Sequence, residues 1–274
     1  MLLTDFSFKA YDEVICGYYT QPTITKGVVV IVHGFGEHSG RYKERVIPAL
    51  MGEGLAVVIY DNIGHGTSGG KRGHCPSYNA LLDILEMVMS KAKSLFPKVP
   101  LFLYGHSMGG NLVLNYAIQR PSRVKAIVAS SPYLRLAFAP PKWKLLLGKL
   151  MLSIMPSLTL PSGLDPNGIS TLGKEVDKYQ KDPLVHDKVS PMYSLPMIRA
   201  GVEAISRADE LRLPALLIHG SEDPIIDVEG SREFHKNAST TTLQIYEGAY
   251  HELHNDFCAE TVLETVRNWL RQQL

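Results

Sequence analysis

Cysteine is scarce in this sequence, with only Cys16, Cys75 and Cys258 in 274 residues. Odd in number and scattered, they offer neither a disulfide framework nor the paired spacing of a zinc site, which suggests a reducing compartment. Excess charge of either sign is missing too. Lys+Arg number 28 against 27 Asp+Glu, a formal net charge of +1. That balance supplies no field for steering nucleic acid and no basic tract stands out, so no nucleic-acid partner is expected. Long apolar runs are absent as well. None reaches the ~18 residues needed to span a bilayer. The N-terminal MLLTDFSFKAYDEV is broken by Asp5 and Lys9, unlike the apolar core of a signal peptide. The expected location is cytoplasmic, peripheral to membranes where it meets them.

The composition is that of an ordinary globular chain, 45% hydrophobic and 20% charged. The length suits one α/β domain with an insertion. Six apolar runs set a rhythm: GVVVIVHG (27–34), LAVVIYD (55–61), VPLFLYG (99–105), VKAIVAS (124–130), PALLIHG (214–220) and TLQIYEG (242–248). The first five do not alternate with polar residues, which is how strands covered on both faces read. Between them, Leu81, Leu85, Val88, Ala92 and Leu95 recur at helical spacing, as do Val262, Val266 and Trp269. Strand and helix in alternation predict a mostly parallel, doubly wound sheet flanked by helices. From Pro132 to about Arg207 the rhythm stops. We therefore expect a core formed by residues 1–131 and 208–274, with 132–207 inserted as a helical cap over the C-terminal strand ends, where open α/β sheets bind ligands.

The chemistry centres on Gly105-His106-Ser107-Met108-Gly109, a G-x-S-x-G pattern between a strand and a helix. Glycines permit the sharp turn that holds a serine Oγ at the tip of the sheet, and the helix N-terminus aims N–H groups at negative charge developing there. A serine so placed needs a base and an acid, which follow it in the order Asp or Glu, then His. After PALLIHG come Glu222, Asp223 and Asp227. Asp223 lies nearest the strand end and precedes a proline, whereas Asp227 suits a helix N-cap. After TLQIYEG come His251 and His254, of which His251 is nearer the strand end. The candidate triad is thus Ser107, Asp223 and His251. The HGFG turn after the first parallel strand supplies the backbone N–H of Phe35, which with that of Met108 would form an oxyanion hole. DNIGHGTSGG lacks the features of a P-loop and reads as a structural turn, and HELH is not H-E-x-x-H, so no metal or cofactor is expected.

Taken together, HGFGEHSGRY, GHGTSGG, GHSMGG, EVDKYQKDPL, GSEDPI and YEGAYHELHND resemble the monoglyceride lipases. The resemblance spans about His33 to Trp269 and includes the cap. It implies an α/β-hydrolase fold, no cofactor, the triad already read from the chain, and glycerol recognition at Glu37, Arg41, Tyr179 and His254. It also implies hydrolysis of monoacylglycerol to fatty acid and glycerol through an acyl-enzyme on Ser107. Two departures stand out. His186 and Ile226 occupy places where mammalian relatives carry cysteines, and Phe35 is bulky where relatives often have something small. A lysophospholipase or broad carboxylesterase would use the same machinery. An epoxide hydrolase would need an aspartate nucleophile, and a non-catalytic lipid binder a broken triad. In the cap, Leu145, Leu146, Leu147, Leu150, Met151, Leu152, Ile154 and Met155 crowd nearly every helical face, flanked by Lys142, Lys144 and Lys149. This segment is expected to wall the acyl channel and to touch lipid headgroups transiently.

Overall fold

The computed structural model describes residues 1–120, 124–139 and 141–274, without the side chains of Lys142 and Lys144. An eight-stranded sheet organises the chain. It opens with β1 (Thr4–Ala10) antiparallel to β2 (Glu13–Thr20), and β2 in turn pairs antiparallel with β4 (Leu55–Tyr60). From β4 onward every pairing is parallel, through β3 (Gly27–Val32), β5 (Leu101–His106), β6 (Val124–Ser130), β9 (Ala215–Gly220) and β10 (Thr241–Tyr246). The short β7 (Leu160–Pro161) and β8 (Lys188–Val189) pair separately.

Apart from the edge strand β10, whose residues alternate between part-buried and exposed, the parallel strands carry apolar runs because each face meets helices. Val28, Val30 and Val32 point into one core with α2 (Tyr78–Leu95) and α3 (Met108–Gln119). Val29 and Ile31 point into the other, against α1 (Val46–Gly52) and α8 (Ala259–Gln273). Each such fully buried side chain contributes about 1.5–3 kcal/mol of transfer free energy. The β1–β2 hairpin was not anticipated. Its strands are half-exposed, and its two-residue turn uses Tyr11 and Asp12 at positive φ (53° and 63°) rather than the Asn-Gly that would advertise it.

Between β6 and β9 the chain leaves the sheet and builds α4 (Lys142–Ile154), α5 (Gly173–Lys181) and α6 (Pro191–Ser206). These three are not equivalent. Tyr193, Met197, Ala204 and Ile205 of α6 belong to the main core. Gly201 is the contact that lets α6 close in, since a Cβ there would stand 2.5 Å from the Leu134 carbonyl oxygen. By contrast α4 presents Leu146, Leu150 and Ile154 to solvent at 70%, 54% and 62% exposure.

Candidate active site

Ser107 sits at the junction of β5 and α3 with φ 53° and ψ −115°, a conformation that costs a non-glycine residue roughly 1–3 kcal/mol. The surroundings over-determine it. Its N–H donates to the Ser130 carbonyl at 2.9 Å, and its own carbonyl accepts from Asn111 and Tyr133 N–H at 3.0 and 2.9 Å. The elbow can lie this close to β3 only because Gly109 lacks a side chain, since a Cβ there would fall 2.0 Å from the Val32 carbonyl oxygen. Met108 opens α3, so its N–H belongs to the first turn, where no intrahelical partner exists. The turn after β3 comes equally near. A Cβ on Gly34 would lie 3.3 Å from the Ser107 Cβ, which sets Phe35 beside the serine.

Asp223 and His251, the candidate acid and base, lie on the loops after β9 and β10. Asp223 Oδ2 accepts from His251 Nδ1 at 2.6 Å, while Oδ1 accepts from the N–H groups of Ile225 and Ile226 at 2.9 Å. Burial alone would raise the Asp223 pKa. The His251 charge and hydrogen bonds from His219 and His251 overcome it and hold the carboxyl well below the usual carboxylate range. Burial likewise pushes His251 downward, but the charge and hydrogen bond of Asp223 outweigh it and leave the imidazole above its ordinary value. His219 went unnoticed in the sequence. Its Nε2 lies 3.1 Å from Asp223 Oδ2, and its Nδ1 lies 2.7 Å from the Ser231 hydroxyl, so it steadies the acid from behind. Asp227, the competing acid, caps α7 (Val228–Asn237) by accepting from the Glu229 N–H.

Two cavities meet at Ser107. One, of about 340 Å³, is lined by Glu37, His106, Tyr179, His186, His251 and Glu252, among others. The other, of about 520 Å³, is lined by Leu145, Leu147, Met151, Leu160, Met197 and Ile226, with further apolar side chains. Phe35, Ser107, Ser162, Leu164 and Ile225 belong to both. Behind the polar cavity lies a buried charge network. Arg41 pairs with Glu37 (Nε–Oε2 3.3 Å) and with Glu252, and its guanidinium lies 4.8 Å from the Tyr179 ring centre. Burial would raise the pKa of both carboxyls; nearby His106 and Arg41 reverse this and keep both below the ordinary glutamate value. Glu37 Oε1 also accepts from Gly34 N–H at 2.5 Å and Tyr42 Oη at 2.7 Å, which ties the network to the turn beside Ser107.

Of the four positions singled out for glycerol, Glu37 and Tyr179 line the polar cavity, whereas Arg41 and His254 stand behind its wall. His254 is fully buried, stacked on Tyr42 with ring centres 5.0 Å apart, and burial holds its pKa well below the usual imidazole range. Glu252 and His106 are cavity residues that the sequence reading missed. Glu252 could have been suspected as an acid adjoining His251. His106, pushed down to about 4 by burial and by His251, is neutral near pH 7. His186 lines the polar cavity and Ile226 the apolar one.

A serine at a strained strand–helix turn, lining one cavity with the histidine of a hydrogen-bonded His–Asp pair on a mostly parallel sheet, defines a serine hydrolase of the α/β-hydrolase class. A family model described as "Serine aminopeptidase, S33" matches residues 23–257. Human monoglyceride lipase is 34% identical over 94% of this chain and 86% of its own. An uncharacterised abhydrolase domain-containing protein of Dictyostelium discoideum is 35% identical over 90% of this chain, which spans only 26% of that protein's length. Among solved structures, a monoacylglycerol lipase of Paleococcus ferrophilus superposes with a TM-score of 0.86 at 34% identity, each chain covered completely. The chain belongs to this hydrolase family.

Proposed function

We propose that the chain hydrolyses monoacylglycerols to fatty acid and glycerol. The observation that carries this reading is the meeting of a charged, hydrogen-bonding cavity and an apolar cavity at one serine. An amphiphile with its ester bond at Ser107 fits both sides. Because Nδ1 of His251 is committed to Asp223, Nε2 takes the Ser107 proton as Oγ attacks the ester carbonyl. The N–H groups of Phe35 and Met108 receive the oxyanion. Collapse expels glycerol, which takes the proton from His251. Water, activated by the same nitrogen, then releases the acyl group as a fatty acid. Glu37 and Tyr179 contact the glycerol hydroxyls, while Arg41 and His254 hold that wall in place. The segment 132–207 serves as the cap, with Leu145, Leu147 and Met151 along the acyl chain.

The outer face of α4 lies against lipid in this reading. Leu146, Leu150 and Ile154 fall at helical spacing on an exposed stripe, and exposed Lys149 lies beside them. Lys142 and Lys144 lie outside the described side chains. Among the described residues no helix is long and apolar enough to cross a membrane. The test is a panel of monoacylglycerols and matching lysophosphatidylcholines, together with liposome flotation. Monoacylglycerol should lead in kcat/KM by at least about tenfold, because buried carboxylates repel a phosphate. Equal or reversed rates make the chain a lysophospholipase. Replacing Leu146, Leu150 and Ile154 by Ser should abolish flotation while sparing hydrolysis of a short, water-dissolved ester, and undiminished flotation rejects the lipid contact.

A further inference from the structure

We infer that Asp256 is a positioning residue that fastens the inserted segment to the loop carrying His251. Its carboxylate is 1% exposed and accepts from both sides of that junction. Oδ2 receives the N–H of Tyr250, the residue just before His251, at 2.7 Å. Oδ1 receives the N–H of Thr171 at 3.1 Å, the Thr171 hydroxyl, and the N–H of Phe257 at 2.8 Å. Two further bonds run alongside. Glu252 N–H donates to the Ile169 carbonyl at 2.7 Å, and Ser170 Oγ donates to the Asn255 carbonyl at 2.8 Å.

Residues 169–171 and 250–257 are thus joined by ties on both flanks of the imidazole. Among the described residues no cation pairs with Asp256. A buried carboxylate held by hydrogen bonds alone is an expensive way to fill space, and an apolar side chain would pack there at less cost. What the carboxylate adds is direction: it fixes the Tyr250 peptide, hence the start of the His251 loop, relative to the insert. A displacement of the base by a fraction of an ångström costs rate without changing which substrates bind.

This rests on His251 being the base, and the test separates the two ideas. In Asp256→Asn, kcat and the rate of Ser107 labelling by a fluorophosphonate should fall together by about tenfold or more. The loss should be equal on a long monoacylglycerol and on a short acetate ester, with KM nearly unchanged. Thr171→Val removes one tie and should fall severalfold. The double variant should lose less than the product of the two, because both break the same junction. A lowered melting temperature with kcat and labelling within about twofold of the parent, measured well below that temperature, reduces Asp256 to a structural residue. Loss on the long ester alone assigns it to the acyl side, and either outcome overturns the proposal. Should Asp256→Asn fail to fold, Thr171→Val decides, and unaltered labelling there rejects the coupling. His251→Ala with retained activity would instead remove the base itself.

Discussion

The two cavities that share Ser107 are built on opposite physical plans. The polar one is walled on one side by turns of the sheet, backed by paired charges taken out of water, and on the other by residues 162–187 of the insert. The apolar one is walled mainly by leucine, methionine and other apolar side chains of the inserted segment, which refill a space in several ways. On the first side, removing a partner strands a buried charge; on the second, it changes only a volume. Headgroup choice should therefore be strict and chain-length choice graded.

The largest effect comes from breaking what both sides share. Ser107→Ala should lower kcat on every ester by on the order of 10⁶ and abolish fluorophosphonate labelling, with the circular dichroism spectrum unchanged. His251→Ala should cost about as much, Asp223→Asn on the order of 10⁴ in kcat, and His254→Ala less than either. If His254→Ala is the worse of the two histidine variants, the base has been misassigned. The pH profile sharpens the same point. The base must be neutral and its pKa is raised, so kcat/KM should fall on acidification through a value above the ordinary imidazole ~6.5. Asp223→Asn removes the raising charge, so its residual activity should persist to lower pH.

Smaller effects separate the cavities. Glu37→Gln weakens the polar wall, and kcat/KM on monoacylglycerol should drop by about tenfold while the margin over lysophosphatidylcholine narrows. Met151→Ala enlarges the apolar side. It should cost a long-chain ester about fivefold and a short one almost nothing, read from kcat/KM over a chain-length series. Equal losses on both esters there would erase the distinction between the two sides.

Most of the parallel strands were legible because burial on both faces leaves an unbroken apolar run, and Ser107 and Asp223 were singled out because each follows such a run, whereas His251 follows the alternating edge strand β10. Residues acting through tertiary contacts left no comparable trace. His219 looked like a strand terminus, and its bond to Asp223 exists only once the chain turns back over four residues. Glu252 was passed over beside His251, since its partner Arg41 is 211 residues away. The α6 helix read as part of the cap because nothing in its spacing tells α3 from α4 as a neighbour.

Where the insert touches the turn after β3, the joint is backbone to backbone. His186 N–H donates to the Gly36 carbonyl at 2.9 Å, and a Cβ on Gly36 (φ 79°) would lie 2.6 Å from the His186 carbonyl oxygen. A similar seam joins Gly73 to Ser190, whose N–H donates to the Gly73 carbonyl at 2.8 Å. Such seams make the insert a poor cassette. A chimera that imports a relative's segment for a new chain-length preference should inherit a mismatched joint at the turn after β3 unless residues 34–38 and 73 travel with it. The insert and the turns beneath it are therefore one exchangeable unit, not two.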